Sequence, residues 1–197
     1  MPEAVHEIAH EATHDAAHAG TGHAKLIGLL ISVLALFLAV SEMLGKSAQT
    51  HGLALNIEAS DTWNFYQAKT IRQTVLRAML DNAKVTASTP SPEAEKQFAA
   101  WQANIDRLES EPAKNEGRKE LLAKAKSIEH HRDEALEKYH AYEVASLILQ
   151  LGIVLASVAL LSSIIAFAYA SAGLGALGFV VLLGAYSNFE PILKLLH

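Results

Sequence analysis

The sequence contains no cysteine, which excludes disulfides, thiolate nucleophiles and cysteine-ligated metals together. Only five prolines occur among 197 residues, so few points interrupt a helix. Charge is absent from one long stretch: Val144 to Phe189 has none in 46 residues. A protein interior does not require such a run, whereas hydrocarbon does. A concentrated basic stripe is also lacking. The formal net charge is -5 with the signs interleaved, so no nucleic-acid partner is expected.

What is present is strongly segregated. Between Gly45 and Glu143 lie 14 Lys or Arg and 15 Asp or Glu, most of the charge in the chain. The order reads as a His/Ala/Glu-rich tail over 1–24, a first apolar span over 25–45 and a charged domain over 46–143. A second span follows over 144–170, then a turn at Ser171-Ala172-Gly173 and a third span over 174–193. The expected fold class is all-α: an integral membrane protein with three transmembrane helices and an extramembrane antiparallel, coiled-coil-like bundle between spans one and two. A cleavable signal would open on a basic region, whereas this apolar segment follows an acidic tail, so it reads as a retained anchor.

Leu26 to Leu44 nearly matches a hydrocarbon thickness of roughly 30 Å at helical rise. Past Gly45 and Gly52, two candidate bends, nothing breaks the helix before Ala87-Ser88-Thr89-Pro90. Ile57, Ile71, Val75, Met79 and Leu80 recur there near helical spacing and predict a face that packs on a partner helix. Between Pro92 and Pro112, Phe98, Trp101, Ile105 and Leu108 predict a second amphipathic helix. A third carries Leu121, Leu122, Ala125, Ile128, Ala135, Leu136, Tyr139 and Tyr142, and flows into the second span. Ser162, Ala166 and Ala170 on one face, and Gly152 with Ala156 on another, are small enough for close helix approach. Lys124, Lys126, Arg132 and Lys138 crowd the start of the second span, while the tail before Leu26 holds four acids and Lys25. The positive-inside rule therefore puts the charged domain in the cytoplasm and the tail outside.

Candidate chemistry is sparse. In the tail, His6-Glu7-Ile8-Ala9-His10 and His10-Glu11-Ala12-Thr13-His14 both spell the zinc-protease pattern His-Glu-x-x-His. Catalysis would need a third ligand and a cleft that a short tail does not supply. Weak zinc or nickel binding by His6, His10, His14 and His18, or a pH response, are the milder readings, against a solvated low-complexity segment. His130, His131 and His140 sit among acids as on any solvated helix. Candidate intramembrane polar residues are Glu42, Gln150, Asn188 and Glu190; Glu42 also has Lys46 four residues on, at ion-pair spacing. The passage Asn56 to Thr74 mixes carboxylates, amides, aromatics and cations densely. Asn56, Glu58, Asp61, Asn64, Gln67, Lys69 and Arg72 are its candidate polar network, read chiefly as interhelical bonding that fixes register. No nucleophile has a base at recognisable spacing, and no phosphate loop is present, so no enzymatic activity or cofactor is expected.

The apolar span, the passage Asn-Ile-Glu-Ala-Ser-Asp-Thr-Trp-Asn-Phe-Tyr-Gln-Ala-Lys with Ile-Arg-Gln-Thr (Asn56 to Thr74), and the terminal apolar hairpin resemble an uncharacterised bacterial membrane family catalogued as domain of unknown function 4337. The resemblance implies a bacterial inner-membrane protein of this layout and brings no activity with it. The expected function is a membrane-anchored scaffold, self-associating and binding lipid plus itself or another membrane or cytoplasmic protein. The alternatives are a subunit of a small channel or transport complex, and metal or pH sensing by the tail.

Overall fold

The computed structural model describes residues 7, 8, 10, 11, 13, 22–87 and 90–187. Among them the chain forms four long helices and no strand: α1 (Gly22–Thr86), α2 (Pro92–Glu109), α3 (Arg118–Ser162) and α4 (Ile165–Tyr186). Three of these, α1, α3 and α4, are long and apolar enough to cross a membrane. α1 has 65 residues and no proline, and continues through both Gly45 and Gly52. α2 begins where its sequence directs. Ser91 caps it by accepting the Ala94 N–H, Pro92 fills the first turn, and Glu93 and Glu95 face the positive end of the helix dipole.

The chain divides into two compact units, one made of Met1–His51 with Glu134–His197 and the other of Gly52–Asp133. In the first unit, Ile31, Leu34 and Leu38 of α1 pack on Leu149, Ile153 and Ala156 of α3. A second cluster joins Ala141, Tyr142 and Ala145 of α3 to Val181, Leu182 and Ala185 of α4. Small residues make the close approach work. A Cβ on Gly178 would come within 2.9 Å of Leu149 Cγ, and one on Gly175 would collide with Leu34 Cδ2. Gly152 and Ala156 are buried as their size suggests, while Ser162, Ala166 and Ala170 are exposed.

The turn expected at Ser171-Ala172-Gly173 lies elsewhere: α4 runs straight through those residues, and the break falls at Ser163 and Ile164. Ser163 takes φ 57°, the left-handed conformation that ends helices. Ser162 Oγ donates to the Val158 carbonyl at 2.7 Å and accepts the Ile164 N–H at 3.3 Å, so the serine competes for backbone groups and closes the turn. Ser171 has a different task. Its hydroxyl is buried and donates to the Gly152 carbonyl at 2.7 Å, tying α4 to α3. The earlier break leaves Val144 to Ser162 and the 22 residues of α4 as apolar stretches of about 30 Å each.

In the second unit the seam is formed by a face of α1 other than the expected one. Ile57, Ile71, Val75 and Met79, expected to pack inward, are exposed; only Leu80 of that set is buried. The inward positions are Gly52, Ala59, Thr62, Lys69, Gln73 and Leu80, with Leu55, Tyr66 and Leu76 half-buried between them. These positions alternate at intervals of three and four residues, the spacing that keeps one helical face toward a neighbour. Opposite them lie Ile105 and Leu108 of α2, and Leu121, Ala125 and Ile128 of α3, all buried. Phe98 and Trp101 are half-buried, with ring centroids 6.3 Å apart.

Candidate functional site

The densest polar constellation lies in the second unit and centres on Arg118, the first residue of α3. Its guanidinium donates from Nε to Thr70 Oγ1 (2.9 Å), from Nη1 to Gln73 Oε1 (2.7 Å) and Glu109 Oε2 (2.8 Å), and from Nη2 to the Tyr66 hydroxyl (3.1 Å). Four of the five donors an arginine owns are thereby used. The same guanidinium lies 5.3 Å from the centre of the Tyr66 ring. Gln73 completes the arrangement: its Nε2 donates to Glu109 Oε2 at 2.9 Å and to the Ile105 carbonyl at 3.2 Å. Three helices are therefore joined through one cation, one amide and one carboxylate.

Glu109 is held below the usual carboxylate range, first by the Gln73 hydrogen bond and further by the Arg118 charge, against partial burial that pushes the other way. Next to it, Glu120 is also lowered, chiefly because the Ser110 hydroxyl donates to it at 2.6 Å, with the Glu111 N–H adding a bond at 3.2 Å. Glu120 thus gathers the strand of chain that leaves α2. That connection also needs Asn115 at φ 55° and a glycine at 117, where an added Cβ would fall onto Glu120 Oε2 and Glu111 N.

Of the polar residues expected to form a network, Lys69 is the buried one, 8% exposed, with Nζ 3.6 Å from Glu116 Oε2 and 5.0 Å from the centre of the Phe65 ring. Glu58 meets Lys124 at 3.4 Å on the surface, and Asn56 accepts from Arg132 at 3.5 Å. Asp61, Asn64, Gln67 and Arg72 are exposed and lie outside the Arg118 cluster. The residues that do converge, Tyr66, Thr70 and Gln73, sit in the same passage on the neighbouring face. Their spacing of four and three was a legible signal; their partners Glu109 and Arg118 carried none. Trp63 adds a further link, donating its indole N–H to Glu129 Oε1 at 2.9 Å.

In the first unit, Gln150 Nε2 donates to Glu42 Oε1 at 3.4 Å, and Ser41 Oγ donates to the Tyr142 carbonyl at 2.9 Å. Asn188 and Glu190 lie outside the described residues, as do His6, His14 and His18. His10 is described and helical, its carbonyl accepting the Thr13 hydroxyl at 2.8 Å. Among the described residues no three His, Asp or Glu side chains are grouped to hold a metal. An apolar cleft of about 570 Å³ lies between the start of α1 and the α3–α4 break, lined by Ile27, Leu30, Ala159, Leu160, Ile165 and Tyr169 among others.

Chemically, the Arg118 cluster is a clamp. Four donors of its cation are taken by protein acceptors, its carboxylate is bound, and no buried side-chain nitrogen or oxygen among the described residues lacks a hydrogen-bond partner. A family model described as "Domain of unknown function (DUF4337)" matches residues 23–188. No curated protein and no solved structure matches.

Proposed function

The chain belongs to the DUF4337 family, a domain of unknown function, and from that premise we propose that it is a non-enzymatic scaffold anchored in the bacterial inner membrane. Three spans hold it, formed by α1 up to Leu44, by α3 from Val144 and by α4. The charged domain is an antiparallel helical bundle on the cytoplasmic side, and it offers a surface to protein partners, including copies of itself.

The observation that carries this reading is the closed Arg118 cluster. The polar side chains at the centre of the charged domain join α1, α2 and α3 to one another, which suits a rigid support. The anchoring is supported by the outward faces of the apolar stretches, where Leu29, Leu36, Met43, Leu151, Leu161 and Leu177 are all exposed. Lipid accommodates such residues and water does not.

The test is fractionation of broken cells at high speed without detergent. The full-length protein is expected in the pellet and released by detergent alone; a pool in the supernatant would overturn the anchored reading. A channel or transport subunit is the second reading, favoured by the contact between Glu42 and Gln150 in the apolar unit. Purified protein in liposomes discriminates the two. Ion flux above that of empty vesicles, lowered by Glu42→Gln, would replace the scaffold with a pore.

A further inference from the structure

We propose that the outward face of α1 between Ala54 and Val85 is a docking surface for a second copy of this chain, laid alongside the first in parallel and in register. The proposal rests on the scaffold reading and names the partner.

In the Gly52–Asp133 unit α1 carries two stripes. One faces inward and is occupied by α2 and α3, as described above. The other begins at Ile57 and continues through Asp61, Asn64, Ala68, Ile71 and Val75, at alternating steps of four and three, and the same steps lead on to Val85. Every one of these positions is exposed. Ile57 is 64% exposed, Ile71 65% and Val75 48%. The isoleucines and valines of this repeat are left without a partner within the chain among the described residues. A repeat averaging 3.5 residues keeps a face against another helix over many turns.

The occupant follows from the anchor. α1 also carries the first apolar span, so neighbouring copies in one bilayer rise in the same direction and from the same height. Each position on the stripe then faces its own counterpart. Asn64 can pair amide with amide, oxygen accepting from nitrogen. Gln67 and Arg72, five residues apart on opposite margins of the stripe, pair between copies as acceptor and cationic donor, with no like charge across the margin. The one self-opposed charge is Asp61.

The area is that of a small interface. From Ala54 to Val85 the face is about 47 Å long, and a contact strip about 10 Å wide buries on the order of 500 Å² per copy. That comes close to the lower limit of roughly 1,000 Å² in total for a specific interface. Confinement to one membrane raises the effective concentration of copies further.

Because the native chain has no cysteine, single cysteines report proximity without background. In intact membranes, Ala68→Cys and Ile71→Cys are expected to form disulfide-linked dimers on mild oxidation. Arg77→Cys, exposed on another face of the same helix, is expected to do so several-fold less. Asp61→Asn in the Ile71→Cys background is expected to raise the yield. Doubly substituted Ile71→Asp, Val75→Asp protein in detergent is expected to show the mass of one copy with unchanged helix content by circular dichroism. Equal cross-linking at all three positions, no cross-linking at any, or products joining the chain to a different protein would each overturn the proposal. Failure of the anchor would show in the fractionation instead, and the cysteines would still report the stripe in the released protein.

Discussion

Glu109 Oε2 accepts simultaneously from Arg118 Nη1 at 2.8 Å and from Gln73 Nε2 at 2.9 Å, so a single carboxylate oxygen links the end of α2 to both of its neighbours. Gln73 is 2% exposed, and the Arg118 side chain 21%. Removing the arginine would strand a buried amide oxygen beside a bound carboxylate. Arg118→Ala is expected to destabilise the Gly52–Asp133 unit by about 1–3 kcal/mol, read as a lowered Tm. Arg118→Lys is expected to recover only part of the loss, because an ammonium cannot reach four acceptors in a fork.

The same carboxylate sets a pH dependence. Glu109 and Glu120 are both lowered from 4.5 in the folded chain. Their contribution to stability is fully present above that unfolded value and is lost as pH falls through the lower folded values. Thermal unfolding followed from pH 7 downward should therefore stay level with respect to these groups to about pH 5 and then decline. Glu109→Gln with Glu120→Gln should flatten that decline at the expense of stability at pH 7.

Gly117 stands where a side chain has no room, against Glu120 and the chain leaving α2. Gly117→Ala is expected to displace the Glu120 carboxylate from the Ser110 hydroxyl and the Glu111 N–H, lowering stability by about 1–3 kcal/mol. Amide exchange at Glu111, measured in the full-length protein, should rise with it. Unchanged exchange would show that the connection adapts elsewhere.

Between the apolar helices, the Ser171 hydroxyl is the most direct bond from α4 to α3. Ser171→Ala should cost about 0.5–1.5 kcal/mol, the usual range for a hydrogen bond between helices in an apolar surround. Gly178→Leu is the severer change, since Leu149 already occupies the space. Its expected result is loss of folded protein in detergent, seen as aggregation by size-exclusion chromatography.

The sequence made the helical elements legible because apolar runs, prolines and caps act locally. Ser91 and Pro92 mark the start of α2 by themselves, and the charge-free stretch after Val144 marks apolar helix. The seam of α1 was harder to read, for a physical reason. Its inward residues include Thr62, Lys69 and Gln73, polar groups whose burial is tolerated only because partners satisfy them. Those partners are remote: Arg118 lies 45 residues from Gln73 and 52 from Tyr66. Hydrophobicity therefore pointed to Ile57, Ile71 and Val75, which face outward. The turn after α3 is hidden for a different local reason. Glycine suggested Gly173, whereas the chain turns on Ser163, a residue type that rarely takes positive φ and gives little warning.

Only Ser163 and Ile164 separate α3 from α4. So short a connector cannot accommodate a folded segment, and it holds α3 and α4 together as one helical hairpin. Without α4, the groove around Gly152 would lose the Ser171 and Gly175 backbone that lies against it and the Ser171 hydroxyl bonded to its carbonyl.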